Sequence, residues 1–489
     1  MRAAAALAAA FALLLLAHAP LLHLPFFWDE LGQFVPASLD LYRQGRWIPS
    51  SATPNVHPPG VMAYLAGVWM TAGYSIAATR AAMLLLAAAG LLLVWMLARA
   101  LDASRQASAG AVALLAISPL FFAQSMLAQL DMPAMVFTLL VLLLFLRERL
   151  AAAALAAVAL VLVKETGVLV PLVLGAWLIR ERRYSQAALF AAPLVALAAW
   201  LTLLAQATGH PFGDAAFTEY NLFYPLHPVR VAVAFARRIW FLFIANFHWI
   251  GTLALVLAWR RSKLLRTRGW RVAGATVAAH VVLLSVTGGA VLERYLLPAL
   301  APVLIAFAVA LGSFGRVALL AAGTATGLFW NPPYTFPLEN NLAFVDMVRL
   351  HQKAAELLEQ RYPGRRIATA WPLTGALAQP DFGYVRHAFE TQETSDFRRS
   401  SLQAIDWRRV DILVLYARAW EPKWSLLRIS PQIRAFFQRY YGYEPQAAPE
   451  AVAARFGLRQ IARWERGGQW LVIFQPALRS EKGNTDEHG

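Results

Sequence analysis

The chain has 489 residues, 59% of them hydrophobic and 15% charged, with a formal net charge of +16. A soluble domain is nearer one quarter charged, so this composition excludes an ordinary soluble protein and gives a polytopic membrane protein, mainly α. With no cysteine, disulfides, thiolate catalysis and Cys-ligated metals are excluded. The basic excess reads as topology-setting Lys and Arg and contact with anionic lipid rather than nucleic acid.

The first apolar run resembles a signal peptide, with Met1-Arg2 ahead of an Ala/Leu stretch and Ala17-His18-Ala19 as a cleavage site. It continues to Phe27, about the length needed to cross a bilayer, and Pro20 would follow the cut directly. A retained first transmembrane helix is expected. Further apolar runs lie near residues 77–98, 108–125, 134–147, 150–163, 167–179, 186–205, 239–259, 272–291, 295–312 and 316–330, making about eleven spans in all. Residues 28–76 form a long first extracytoplasmic loop, with amphipathic pieces at Leu39–Tyr42 and Val61–Trp69 lying at the interface.

The positive-inside rule orients the set. With the N-terminus cytoplasmic, that side receives Arg99, Arg105, Arg147, Arg149, Arg180, Arg182, Arg183 and the basic cluster from Arg260 to Arg271. The acids sort the other way. Before residue 331 there are eleven: Asp29, Glu30, Asp40, Asp102, Asp131, Glu148, Glu165, Glu181, Asp214, Glu219 and Glu293. Only Asp102, Glu148 and Glu181 fall on the cytoplasmic side.

Residues 331–489 are more charged and hold no spanning run. Phe344–Tyr362 reads as an amphipathic helix ended by Pro363-Gly364. Arg366–Ala370, Asp411–Tyr416, Leu458–Arg463 and Gln469–Phe474 read as strands, the last two forming a hairpin across Glu465–Gly468. The expected organisation is a transmembrane domain at 1–330 and an extracytoplasmic soluble α/β domain at 331–489.

Topology gathers Asp29, Glu30, His57, Asp131, Lys164, Glu165, Glu293, Arg294 and Tyr295 at one membrane face. Each has an ordinary structural alternative. Asp131 caps a helix, where a carboxylate suits the dipole. Lys164 snorkels to head groups, Arg294 pairs with Glu293, and His57 serves a turn before Pro58-Pro59. Taken together, acids and cations at a membrane face suit glycosyl transfer from a lipid-phosphate sugar. A carboxylate takes the proton of an attacking hydroxyl, while cations stabilise the departing phosphate.

These residues carry a family likeness. Trp28-Asp29-Glu30, His57-Pro58-Pro59-Gly60, Leu130-Asp131-Met132-Pro133, Lys164-Glu165-Thr166-Gly167 and Arg294-Tyr295-Leu296-Leu297-Pro298 resemble the GT-C membrane glycosyltransferases. Within these it resembles the branch of protein O-mannosyltransferases and aminoarabinose lipid A transferases, over about residues 10–312. The resemblance implies a polyprenyl-phosphate-sugar donor, a lipid, glycan or protein acceptor, inversion at the anomeric carbon and a bacterial inner-membrane location. It also implies that Asp29 is the principal catalytic acid, with Glu30 and Asp131 beside it. Lys164, Glu165, Arg294, Tyr295 and His57 would form the donor phosphate and sugar site. No cofactor is expected; the carboxylates could hold a divalent ion, but the sequence shows no compact ligand cluster. Residues Gly209–Arg238, aromatic and basic, read either as a loop gating a sugar or holding lipid phosphate or as an ordinary interface loop, and Pro380–Tyr384 matches no catalytic motif of the family. The competing readings are a secondary transporter or lipid flippase without covalent chemistry, and a membrane anchor presenting the tail.

Overall fold

The computed structural model describes residues 2–330, 336–418 and 430–476 and separates into two units. The first comprises Met1–His23, Trp28–Asn331 and Glu339–Leu342; the second comprises Leu24–Phe27, Pro332–Leu338 and Ala343–Gly489.

The first unit is helical. Among the described residues five helices are long and apolar enough to cross a bilayer: Arg2–Leu21, Ile76–Ala100, Tyr184–Thr208, Arg268–Val286 and Glu293–Leu311. Shorter apolar helices cover Gly60–Ala72, Asp131–Leu146, Leu150–Val163 and Phe314–Phe329. Three expected spans are cut short or broken. The first ends near Leu21 rather than Phe27, because Pro20 sits in a closing 3-10 turn at Ala19–Leu21. The run at 108–125 divides into Arg105–Ala116 and Pro119–Gln124. Pro119 has no N–H to give, and it holds Ser118 extended at ψ 125°.

The third correction is larger. The expected span 239–259 is two helices, Pro228–Phe243 and His248–Arg261, meeting at 85°. Asn246 and Phe247 make the corner, both with left-handed φ (51° and 65°), which non-glycine residues rarely adopt. The helix also begins ten residues before the expected end of the loop 209–238. Pro228 occupies its first turn, and the His227 ring accepts from Val229 N–H at 3.2 Å.

Two glycines of the quoted motifs are explained by packing. Gly60 opens helix Gly60–Ala72, and a Cβ there would strike the Leu162 carbonyl. Gly167 lies in the turn after Lys164, where a Cβ would come within 2.6 Å of the Leu160 side chain. Both loops therefore rest against the last turn of helix Leu150–Val163.

The second unit has a five-stranded sheet of β1 (Ile367–Ala370), β2 (Thr391–Thr394), β3 (Ile412–Tyr416), β4 (Leu458–Arg466) and β5 (Gln469–Pro476). The order is β2-β1-β3-β5-β4. β1 pairs parallel with β2 and β3, while β3–β5 and β4–β5 are antiparallel. The central strand β3, Ile-Leu-Val-Leu-Tyr, is buried throughout, so it reads as a continuous apolar run. Gly467-Gly468, with φ 54° and 88°, makes the two-residue hairpin turn between β4 and β5, a backbone that glycine adopts freely. Helix Ala343–Arg361 buries Phe344, Val348 and Leu358. The four expected strands and this helix are present within a few residues. The polar edge strand β2 was not anticipated, because Thr-Gln-Glu-Thr shows no apolar alternation. Pro380–Tyr384 has a structural part here: Phe382 O accepts from Phe26 N–H (3.3 Å), and Tyr384 Oη–H donates to Phe26 O (2.8 Å).

Gly60→Ala should lower the thermal midpoint of the purified protein in detergent, by an overpacking cost of about 1–3 kcal/mol. Gly67→Ala, on the same helix with nothing within 4 Å of the added carbon, should hold or slightly raise the midpoint. Equal effects from the two would refute the close approach at Gly60.

Candidate active site

The site begins at a strained residue. Trp28 has φ 46°, and its carbonyl accepts from both Leu31 N–H (2.9 Å) and Gly32 N–H (3.2 Å). A wide π-type turn follows over Glu30–Phe34, a feature frequent at functional sites. The adjacent carboxylates leave this turn in different directions. Asp29 pairs with Arg294 and keeps a third of its side chain exposed. Glu30 is fully buried against Arg80, also fully buried.

Arg294 is the centre. It stands in the 3-10 turn Glu293–Leu296 that opens helix Leu297–Leu311, with only 4% of its side chain exposed. Three carboxylates surround it: Asp29, Asp131 with Oδ2 3.1 Å from Nε, and Glu339 with Oε2 2.7 Å from a terminal nitrogen. Asp131, the first residue of helix Asp131–Leu146, is shared, since its other oxygen takes the Lys164 ammonium. Lys164 ends helix Leu150–Val163 in extended conformation, and its Nζ lies 4.3 Å from the centre of the Tyr295 ring. The Arg294 guanidinium lies 5.3 Å from the same ring. Both contacts are at cation–π range.

The turn carrying Arg294 is itself held. His280 Nε2–H donates to Tyr295 O at 2.8 Å. Glu293 pairs with Arg237, whose Nε lies at 2.8 Å, so it is not the partner of Arg294. Arg238 is buried and donates to Leu284 O at 2.7 and 3.1 Å.

Of the eight residues expected from sequence, five converge: Asp29, Asp131, Lys164, Arg294 and Tyr295. Three do not enter this cluster. Glu30 accepts from Arg80 and from Ala128 N–H at 2.6 Å, while Arg80 also donates to Met126 O at 2.9 Å. This pair ties the first loop to the chain just before Asp131. His57 and Glu165 bond each other at 2.9 Å, with the His57 ring edge-on to Phe217. Lys164 and Glu165, neighbours in sequence, thus serve two different sites. Two further acids of the same face are spent locally: Asp40 accepts from Ser50 N–H (2.6 Å) and Ser51 N–H (2.8 Å), and Asp214 caps a short helix through Phe217 N–H.

Glu339, Gln129 and Arg80 were missed. Arg80 stood in plain view as a lone cation inside an apolar run, which is itself a functional or structural marker. Glu339 lies in a Pro- and Asn-containing linker beyond the last span and carried no signal. Burial pushes its carboxyl up to about 7; Arg294 opposes this, Asp29 and Asp131 add to it, and Gln129 opposes it again. Among the described residues, no group of three His, Cys, Asp or Glu is arranged to hold a metal ion; the acids here converge on a guanidinium instead.

No protein-family model matches the chain, and no curated protein matches it. Solved structures do. ArnT from Cupriavidus metallidurans bound to undecaprenyl phosphate superposes with a TM-score of 0.56 at 14% identity, over 94% of this chain and 97% of that one. The same protein in the apo state gives 0.54 at 16% identity, over 95% and 98%. The archaeal oligosaccharyltransferase AglB from Archaeoglobus fulgidus, in complex with an inhibitory peptide and a dolichol-phosphate, matches at a TM-score of 0.47 and 10% identity, over 94% and 71%. The chain has the ArnT fold, a helical membrane fold with a small C-terminal sheet, and the resemblance drawn from the motifs is met at the level of fold.

Glu30→Gln should destabilise strongly, by about 3–5 kcal/mol, because it strands a buried guanidinium. Asp29→Asn, on a partly exposed acid, should cost far less. Intrinsic fluorescence of the unfolding protein in detergent checks the contrast, and replacing both Glu30 and Arg80 by Met should recover much of the loss.

Proposed function

We propose that this chain, on the ArnT fold, is an inverting glycosyltransferase that moves a sugar from a polyprenyl-phosphate-sugar donor to an acceptor hydroxyl or phosphate. The observation that carries the reading is the partly exposed Asp29 paired with the buried Arg294, which shares Asp131 with the buried Lys164. An acid open to an acceptor next to cations closed to water is the charge pattern that glycosyl transfer from a lipid phosphate needs. ArnT in complex with undecaprenyl phosphate supports a polyprenyl lipid as the carrier.

In this reading Asp29 orients the acceptor hydroxyl and takes its proton as the oxygen attacks the anomeric carbon. The bond from that carbon to the phosphate oxygen breaks, and its electrons leave on the polyprenyl phosphate. Arg294, Lys164 and the Tyr295 hydroxyl receive the growing negative charge in a site where water screens little. Asp131 holds both cations in place and is a positioning residue. Glu30, through Arg80, and the His57–Glu165 pair set the loops rather than touch the reacting atoms. The shorter apolar helices complete a set of about eleven crossings by tilt or local bilayer thinning. The C-terminal unit, residues 331–489 in outline, lies outside the cytoplasm in a bacterial inner membrane by the basic-loop rule.

Mass spectrometry of envelope lipids, glycans and proteins from a deletion strain should reveal one product lacking a sugar. With the matching radiolabelled polyprenyl-phosphate sugar and that acceptor, purified protein should transfer label. Asp29→Asn should lower kcat by about 10²–10⁴-fold while the protein stays folded. Full transfer by Asp29→Asn would remove the base assignment.

A further inference from the structure

Around Arg294 and Lys164 stand three carboxylates, Asp29, Asp131 and Glu339. With all three ionised the cluster is one negative charge over balance before any phosphate arrives. A phosphodiester donor adds another, in a region with little water. One acid has to let go.

Glu339 is the acid placed to do so. Asp131 is locked between two cations, and Asp29 follows directly on a strained turn. Glu339 instead belongs to a short loop segment, Glu339–Leu342, that follows the last helix at a distance. One of its oxygens, Oε2, takes both the Arg294 terminal nitrogen at 2.7 Å and Gln129 Nε2–H at 3.2 Å. Two donors converging on one anionic oxygen is the geometry a phosphate oxygen would also accept. We propose that the Glu339 carboxylate is a stand-in anion that holds the Arg294 terminal nitrogen and is displaced from it by the phosphate of the lipid donor. This inference rests on the donor class given above.

The surroundings support release by protonation. The groups acting on Glu339 are Arg294 and Tyr295 from one turn, Asp29 from the first loop, Asp131 from the start of another helix and Gln129 just before it, with Lys164 beyond Asp131. Gln124 Nε2–H holds the Glu339 backbone carbonyl at 2.9 Å, so the loop stays anchored while the carboxyl turns. Gln129 Oε1 is buried without a hydrogen-bond partner; a rotated Gln129 amide would present this oxygen to a protonated Glu339. A group raised to about 7 is ionised at pH 8, where it competes for Arg294, and largely neutral at pH 6, where it does not.

The test is binding of undecaprenyl phosphate to the full-length protein in detergent at pH 6, 7 and 8, for wild type and Glu339→Gln. Glu339→Gln should bind roughly tenfold tighter than wild type at pH 8, the scale of one hydrogen bond to a charged group. The gap should close towards pH 6. Taking the ratio of the two affinities cancels the ligand's own phosphate ionisation near pH 6. Glu339→Asp, which keeps the charge but shortens the reach, should fall between the two and guards against a folding defect in one variant. Equal or weaker binding by Glu339→Gln, or a gap independent of pH, would overturn the stand-in role alone. Failure of folded wild type and both variants to bind at all would overturn the donor reading, and this inference with it.

Discussion

A buried guanidinium shared by three acids is the constraint from which the rest of the first unit follows. Removing Arg294 and Lys164 from water is costly unless acids meet them with good geometry. Those acids come from the first loop, from a helix start and from a segment beyond the last helix. The chain can satisfy the cations only by bringing these distant stretches together, so assembling the fold and assembling the site are one event. The turn at Glu293–Leu296 is correspondingly gripped from two sides, by Arg237 and by His280.

What sequence revealed, and what it hid, divides along a simple physical line. Charges within an apolar chain are expensive and therefore conspicuous, which is why Asp29, Asp131, Lys164 and Arg294 were legible. The direction each side chain takes was not. Three adjacent pairs, Asp29-Glu30, Lys164-Glu165 and Glu293-Arg294, each read as a unit, and each splits between different partners. Consecutive residues on a turn or helix do not share a face, so adjacency in sequence is a poor guide to company in space. Glu339 was hidden for the opposite reason. It lies in a polar linker where an acid is unremarkable, and only tertiary contact gives it meaning.

The fold shows the same division. Prolines announced the break at Ser118-Pro119, and burial announced β3. The corner at Asn246-Phe247 rests on left-handed backbone at two non-glycine residues, which no composition rule foretells. The edge strand β2 carries few apolar groups, and its place comes from backbone pairing with β1. In each case the element missed is one whose conformation is imposed by its neighbours rather than chosen by its own residues.

Helix Leu150–Val163 has no charged side chain, yet the two glycine contacts at Leu160 and Leu162 make it the gauge against which two polar loops are set. Its last residue also hands the chain on to Lys164. A shift of this helix along its axis would move the ammonium and the imidazole loop together, leaving their mutual spacing while spoiling the fit of Lys164 to Asp131.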